Sequence, residues 1–168
     1  EIVLTEGERS FETDPIQLLH IFHLAQVKKL RLSEQAQRML QSCLHLIDDE
    51  LRGAPQARDI FMRILRRKHR TAGTLRAMHD LGVLGAYLPE FGALTCLVKY
   101  DIYHLYTVDE HTLVALDNLE ALGLSERQDM LKRVFDQLER RDLLYLSVLL
   151  HDIGKSKRQD HIVCGVEM

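Results

Sequence analysis

The chain has 168 residues, of which 46% are hydrophobic and 28% charged, enough apolar content for a buried core and unlike a disordered or collagen-like chain. Twenty-two Lys and Arg against twenty-five Asp and Glu leave a net charge of −3, without the basic field that nonspecific nucleic-acid binding requires, so nucleic acid is not an expected partner. With no Trp, 6% aromatic residues, three Pro and nine Gly, the composition favours helices over sheet, and the predicted class is all-α.

Residues 1–13 show no clean period. Asp14-Pro15 predicts a helix start, continued by Ile16, Leu19, Phe22, Leu24 and Val27. Ser33 is expected to cap a longer helix whose stripe of Ala36, Met39, Leu40, Cys43, Leu44, Ile47 and Leu51 ends at Gly53. Pro55 opens a third, with Ile60, Phe61, Ile64 and Leu65 inward and Arg66-Arg67-Lys68 as a solvated last turn. Thr71 to Leu81-Gly82 and Val83 to Leu88 read as short connecting helices, the second stopped by Pro89. Thr107, with Asp109 and Glu110 behind it, begins a helix carrying Val108, Ala115, Leu116, Leu119 and Leu122. Ser125 is expected to cap an amphipathic helix through about Arg141, with Met130, Leu131, Val134 and Leu138 on its apolar face. Leu143 to Leu150 is apolar on nearly every side, and its leucine bias favours a central buried helix over a strand. With no repeat or linker, residues 1–168 read as one helical domain, about 1–95 leading into a core at about 96–168.

Cys43, Cys96 and Cys164 are widely spaced and odd in number, which speaks for reduced thiols and a cytoplasmic protein. No apolar run approaches the roughly 20 residues of a membrane span. The first residue is Glu1 and no basic-then-apolar leader follows, so the chain reads as an excised piece of a longer product.

Nine histidines are the count that stands out. His151-Asp152-Ile153-Gly154-Lys155 follows the most apolar segment, where each ionisable group needs a partner, a hydrogen bond or a metal. The plain alternative is a satisfied helix C-terminus with Gly154 as the stop and Lys155 facing the dipole. His111 shares a helix face with Val108 and Ala115, so it points inward, and a lone inward histidine is often only a hydrogen-bonded core residue. Two helices of a bundle could instead bring His111, His151 and Asp152 together, a mixed N/O set suited to a divalent transition metal.

His111 followed by His151-Asp152 resembles the H…HD signature of the HD superfamily of metal-dependent phosphohydrolases. The strings "YDIYHLYTVDEHT" (100–112) and "LLYLSVLLHDIGK" (143–155) resemble more closely the HD domain of bacterial bifunctional uridylyltransferase/uridylyl-removing enzymes. "DPIQLLHIFHLAQ" (14–26) and "LGVLGAYLPEFG" (81–92) resemble the segments upstream of it, so the likeness covers nearly the whole chain.

The resemblance implies an HD-like helical bundle that hydrolyses UMP from a tyrosine of the nitrogen regulatory protein PII. PII would be the protein substrate and UMP the product, with UTP and glutamine handled by domains outside this chain. It implies His111, His151 and Asp152 as ligands of a divalent ion (Mg, Mn, Fe or Zn), Asp152 and Lys155 as catalytic groups, and Lys155 facing the phosphate. His161 and His104 match histidines that could serve a second metal or the substrate. The chain departs from its relatives in the loop Ser156 to Ile162, where they have a Gly-rich stretch, and ends before the superfamily's distant Asp ligand. No nucleotidyltransferase signature of Gly-Ser with paired aspartates occurs. Two other readings stay open: an HD phosphohydrolase acting on other nucleotides or cyclic phosphates, and a catalytically silent helical module that regulates or binds PII.

Overall fold

The computed structural model describes residues 1–4, 9–98, 106–127, 129–157 and 165. Among them the backbone forms eleven α-helices and two 3-10 turns, with no sheet, and an isolated parallel bridge joins Ile2 and Leu32. The fold is all-α. The helices are α1 (Arg9–Thr13), α2 (Gln17–Lys28), α3 (Glu34–Ser42), α4 (Asp49–Gly53), α5 (Pro55–Leu65), α6 (Thr71–Asp80), α7 (Val83–Tyr87), α8 (Pro89–Gly92), α9 (Val108–Leu124), α10 (Met130–Gln137) and α11 (Arg141–Leu150). The 3-10 turns are Leu44–Leu46 and Ile153–Ser156. The chain forms two compact units, Glu1–Ile64 with Thr74–Leu88, and Leu65–Gly73 with Pro89–Met168. No helix among the described residues is long and apolar enough to cross a membrane.

In the first unit, α2 buries Leu18, Leu19, Ile21 and Phe22, while Leu24 and Val27, expected inward, lie at the surface. Gln26 takes an inward place instead, its amide donating to the Ile64 carbonyl at 3.1 Å. Ser33 does cap α3, its Oγ accepting from the Ala36 amide at 3.2 Å, but the single helix expected to reach Gly53 is broken. The Ser42 hydroxyl donates to the Met39 carbonyl, the chain tightens into the Leu44–Leu46 turn, and the Asp48 carboxylate accepts from the Leu51 amide at 2.9 Å to start α4. A short acidic side chain competes for backbone amides and so prefers a cap to a helix interior. The stripe survives the break: Ala36, Leu40, Cys43, Ile47 and Leu51 are all buried.

Helix α7 packs on the Leu44–Leu46 turn, entered through Gly82 in the left-handed region at φ +79°. A Cβ at Gly82 would lie 2.9 Å from Leu44 Cδ1, inside van der Waals contact. Gly82→Ala is therefore expected to lower stability by about 1 kcal/mol, chiefly through φ strain, since the Leu44 methyl can rotate aside. A urea midpoint equal to the parent's would refute it.

In the second unit, α9 packs against both α10 and α11, and α8 packs on the Ile153–Ser156 turn. Val108, Thr112, Leu113 and Leu116 of α9 are buried with Tyr145 and Leu149 of α11. Leu143 to Leu150 is a helix rather than a strand, yet it is not wholly buried. The inward face of α11 holds Asp142, Tyr145 and Leu149, while Leu143 is exposed.

Other expectations fail in this unit. Ser125 ends α9 rather than starting the next helix. The Asp129 carboxylate caps α10 by accepting from the Lys132 amide at 2.9 Å, and α10 stops at Gln137. Its buried face is also the opposite one, with Phe135 and Lys132 inward and Met130, Leu131, Val134 and Leu138 in solvent. Phe135 fits against α9 because Gly123 leaves room, a Cβ there falling 2.9 Å from the ring, and the Arg141 guanidinium lies 4.6 Å from the ring centroid. Lys132 reaches inward because both Asp136 oxygens take its ammonium at 2.6 Å. Arg66, read as part of a solvated helix end, lies beyond the end of α5 and pairs with buried Asp142 at 3.1 Å. Glu120 of α9 accepts from the Thr71 and Ala72 amides, each at 3.1 Å, and so satisfies the first turn of α6.

Candidate metal centre

The start of α9 and the end of α11 build the site. At α9, Thr107 occupies the N-cap in extended backbone without a side-chain bond. Asp109, buried, accepts from the Cys96 amide at 3.1 Å, and the Val108 amide donates to the Leu97 carbonyl at 3.0 Å. These bonds fix the helix start three residues before half-buried His111. Sequence reasoning treated Asp109 as a dipole partner only; its burial and long-range bond follow from the tertiary fold.

At α11 the anchoring lies at the opposite end from His151. Asp142, in the first turn, takes Arg140 Nε on Oδ1 at 2.9 Å, and Arg140 Nη2 and Arg66 Nε on Oδ2 at 3.0 and 3.1 Å. The Arg140 hydrogen bonds, followed by the Arg66 bond, outweigh the opposing effect of burial and hold the Asp142 carboxyl down at about 2. One turn on, burial pushes the Tyr145 phenol up to about 12, with the Glu120 carboxylate adding to the rise and Arg141 opposing it.

His151 is the C-cap of α11, and its Nδ1 lies 2.7 Å from the Val148 carbonyl oxygen. A carbonyl only accepts, so Nδ1 carries the hydrogen, and a neutral ring then leaves its lone pair on Nε2. Nε2 faces Asp152 Oδ2 at 3.2 Å, and the His111 and His151 rings have centroids 5.8 Å apart, tilted by 51°. One ligand atom from each of His111, His151 and Asp152 falls within 4.8 Å of the others. Asp152 is buried, whereas the His151 side chain is 40% exposed, so the cluster is open toward solvent on the His151 side.

The donor set fits a divalent cation. Two imidazoles and a carboxylate suit a borderline metal that keeps open positions. An Nε2 lone pair facing a carboxylate oxygen is repulsive unless a proton or cation lies between them, and the Nδ1–H bond to a carbonyl is the support that orients ligand histidines. Ligand atoms about 2.0–2.2 Å from an ion lie roughly 3–4 Å apart, so small side-chain rotations would close the cluster. Lys155, in the Ile153–Ser156 turn, places Nζ 2.7 Å from Asp152 Oδ2. Of the other residues singled out in the sequence, His104 and His161 lie outside the described residues, as does Cys164.

The profile described as the Uridylyltransferase GlnD third domain matches residues 2–87, and the HD domain profile matches residues 108–168. The first falls largely in the first unit and the second within the second. The bifunctional uridylyltransferase/uridylyl-removing enzyme of Azospirillum brasilense is 36% identical over 165 residues, covering 96% of this chain and 18% of that protein. The enzyme of the same name from Methylococcus capsulatus is 40% identical over 156 residues, covering 90% of this chain and 18% of that protein. That of Cereibacter sphaeroides is 36% identical over 163 residues, 95% of this chain and 18% of its own length. The chain thus spans about a fifth of the relatives it matches.

Proposed function

Because the chain belongs to the family of bifunctional uridylyltransferase/uridylyl-removing enzymes and carries its HD domain, we propose that it performs the uridylyl-removing step. It would hydrolyse the UMP–tyrosine phosphodiester on PII in a cytoplasmic, nitrogen-regulating enzyme. The observation that carries this reading is the convergence of His111, His151 and Asp152, with His151 Nε2 turned toward Asp152 Oδ2.

His111, His151 and Asp152 would hold a divalent ion, which when bound supplies Lewis acidity for a phosphodiester oxygen and for the attacking water. The protein's own groups do the remaining work. Val148 and Asp109, through their hydrogen bonds, keep the two histidine-bearing helix ends in place. The exposed side of His151 leaves a path for a phosphodiester carried on a protein surface. Lys155 would neutralise charge growing on the non-bridging oxygens as the water oxygen bonds to phosphorus and the P–O bond to tyrosine breaks. UTP-dependent uridylylation and glutamine sensing would belong to other parts of such an enzyme.

The test is UMP release from uridylylated PII by the full-length polypeptide with Mn²⁺. Release should stop with a chelator, return with added metal, and be absent in His151→Ala. Release that survives both chelation and this substitution would refute the reading. Metal-dependent cleavage of a generic phosphodiester without UMP release from PII would leave an HD phosphohydrolase of different substrate.

A further inference from the structure

Two groups converge on a single oxygen of Asp152. Lys155 Nζ lies 2.7 Å from Oδ2, and His151 Nε2 lies 3.2 Å from the same atom. The Asp152 side chain is 8% exposed and that of Lys155 18%, so the pair is shielded from water on most sides. Its geometry is local. The Lys155 amide donates to the Asp152 carbonyl at 2.9 Å, and this 3-10 spacing folds the lysine stem back over the carboxylate. Oδ2 is also the carboxylate oxygen that faces a histidine nitrogen of the candidate metal cluster.

An ammonium on that oxygen and a dication between the same oxygen and His151 Nε2 would be like charges within about 4 Å of one another, in a site largely closed to solvent screening. Their mutual repulsion disfavours both holding the oxygen at once. The ammonium sits on a flexible four-carbon stem, whereas the carboxylate is fixed at a helix end, so the lysine is the group that moves.

We propose that Lys155 is the resident counter-cation of the metal site: it neutralises Asp152 when no ion is bound, and a divalent ion must displace it from Oδ2 to bind. This inference rests on the metal-binding reading above. Lys155 then sets the metal affinity of the site, and metal loading frees its ammonium to turn toward the open, substrate side. By linkage, removing the ammonium strips the metal-free state of its compensating charge while the metal-bound state loses none, so the variant should bind metal more tightly.

The test is calorimetric titration of the metal-free protein with Mn²⁺ alone, with thermal melting of the metal-free and loaded forms. Lys155→Met keeps the stem and removes the charge, and Lys155→Gln is a second neutral variant should the first fold poorly. Both are expected to lower the Mn²⁺ dissociation constant roughly tenfold and to enlarge the rise in Tm on loading. Lys155→Arg, still cationic, should stay within about threefold of the parent. Parent-like or weaker Mn²⁺ binding in the neutral variants overturns the proposal while the metal site itself stands. No Mn²⁺ binding by the parent protein overturns the metal-site reading and this inference with it.

Discussion

Replacing His151 or Asp152 with alanine is expected to weaken Mn²⁺ binding more than about 100-fold while leaving the helical circular dichroism essentially intact. Altering a residue that merely orients a ligand costs 10–100-fold, so removing the ligand itself should cost more. His151 can be removed cheaply from the fold: its side chain is 40% exposed and its hydrogen bond goes to a carbonyl at the end of α11, where water can substitute. Asp152 is buried, and its loss leaves the Lys155 ammonium without its anion, so Asp152→Asn should accompany Asp152→Ala to retain the shape. His111→Ala is expected to act in the same direction. Calorimetric titration with Mn²⁺ reads the effect directly. Parent-like affinity in these variants would remove them from the metal site, and a cooperative loss of helix signal would assign them a structural role instead.

Asp142→Asn is expected to lower stability by about 2 kcal/mol at neutral pH and to flatten the acid limb of the stability profile. The sign follows from the native carboxyl lying at about 2, below its ordinary 3.8. Above pH 4 both folded and unfolded states carry the charge, and the full contribution of the Arg140 and Arg66 bonds is present. As pH falls toward 2 the unfolded chain takes up its proton first, the contribution shrinks, and below the native value it is gone. The loss stays below the 3–5 kcal/mol of a fully buried broken pair because both arginines are more than half exposed and regain water when the anion is removed. Urea unfolding of parent and variant between pH 7 and pH 2.5 measures it. Two curves that run parallel across this range would mean that Asp142 does not carry the acid sensitivity.

What could be read in advance was whatever a residue does to its own turn. Ser33 caps its helix, Pro55 opens another, Thr107 stands at the head of α9, and the leucine-rich segment before His151-Asp152 is helical. The two ends of the candidate site were legible for the same reason, since His111 lies in the first turns of one helix and His151-Asp152 at the end of another. Misreadings arose where two local signals competed. Asp48 interrupts a stripe that by period alone continues to Gly53, and Asp129 captures a helix start that Ser125 could equally have supplied. Choosing between such caps depends on contacts made by the rest of the chain.

The all-helical class, most helix starts and the helix ends that carry His111 and His151-Asp152 could be read from the chain alone, because composition, capping and apolar period act over a few neighbouring residues. Packing between helices settles which face of α10 is inward, where Phe135 beneath Gly123 prevails over Met130, Leu131, Val134 and Leu138. The same holds for Arg66, which serves Asp142, and for Glu120, which closes the first turn of α6. Each of these is a balance between desolvation and a particular partner. In each case the partner is distant in sequence and invisible until the chain has folded.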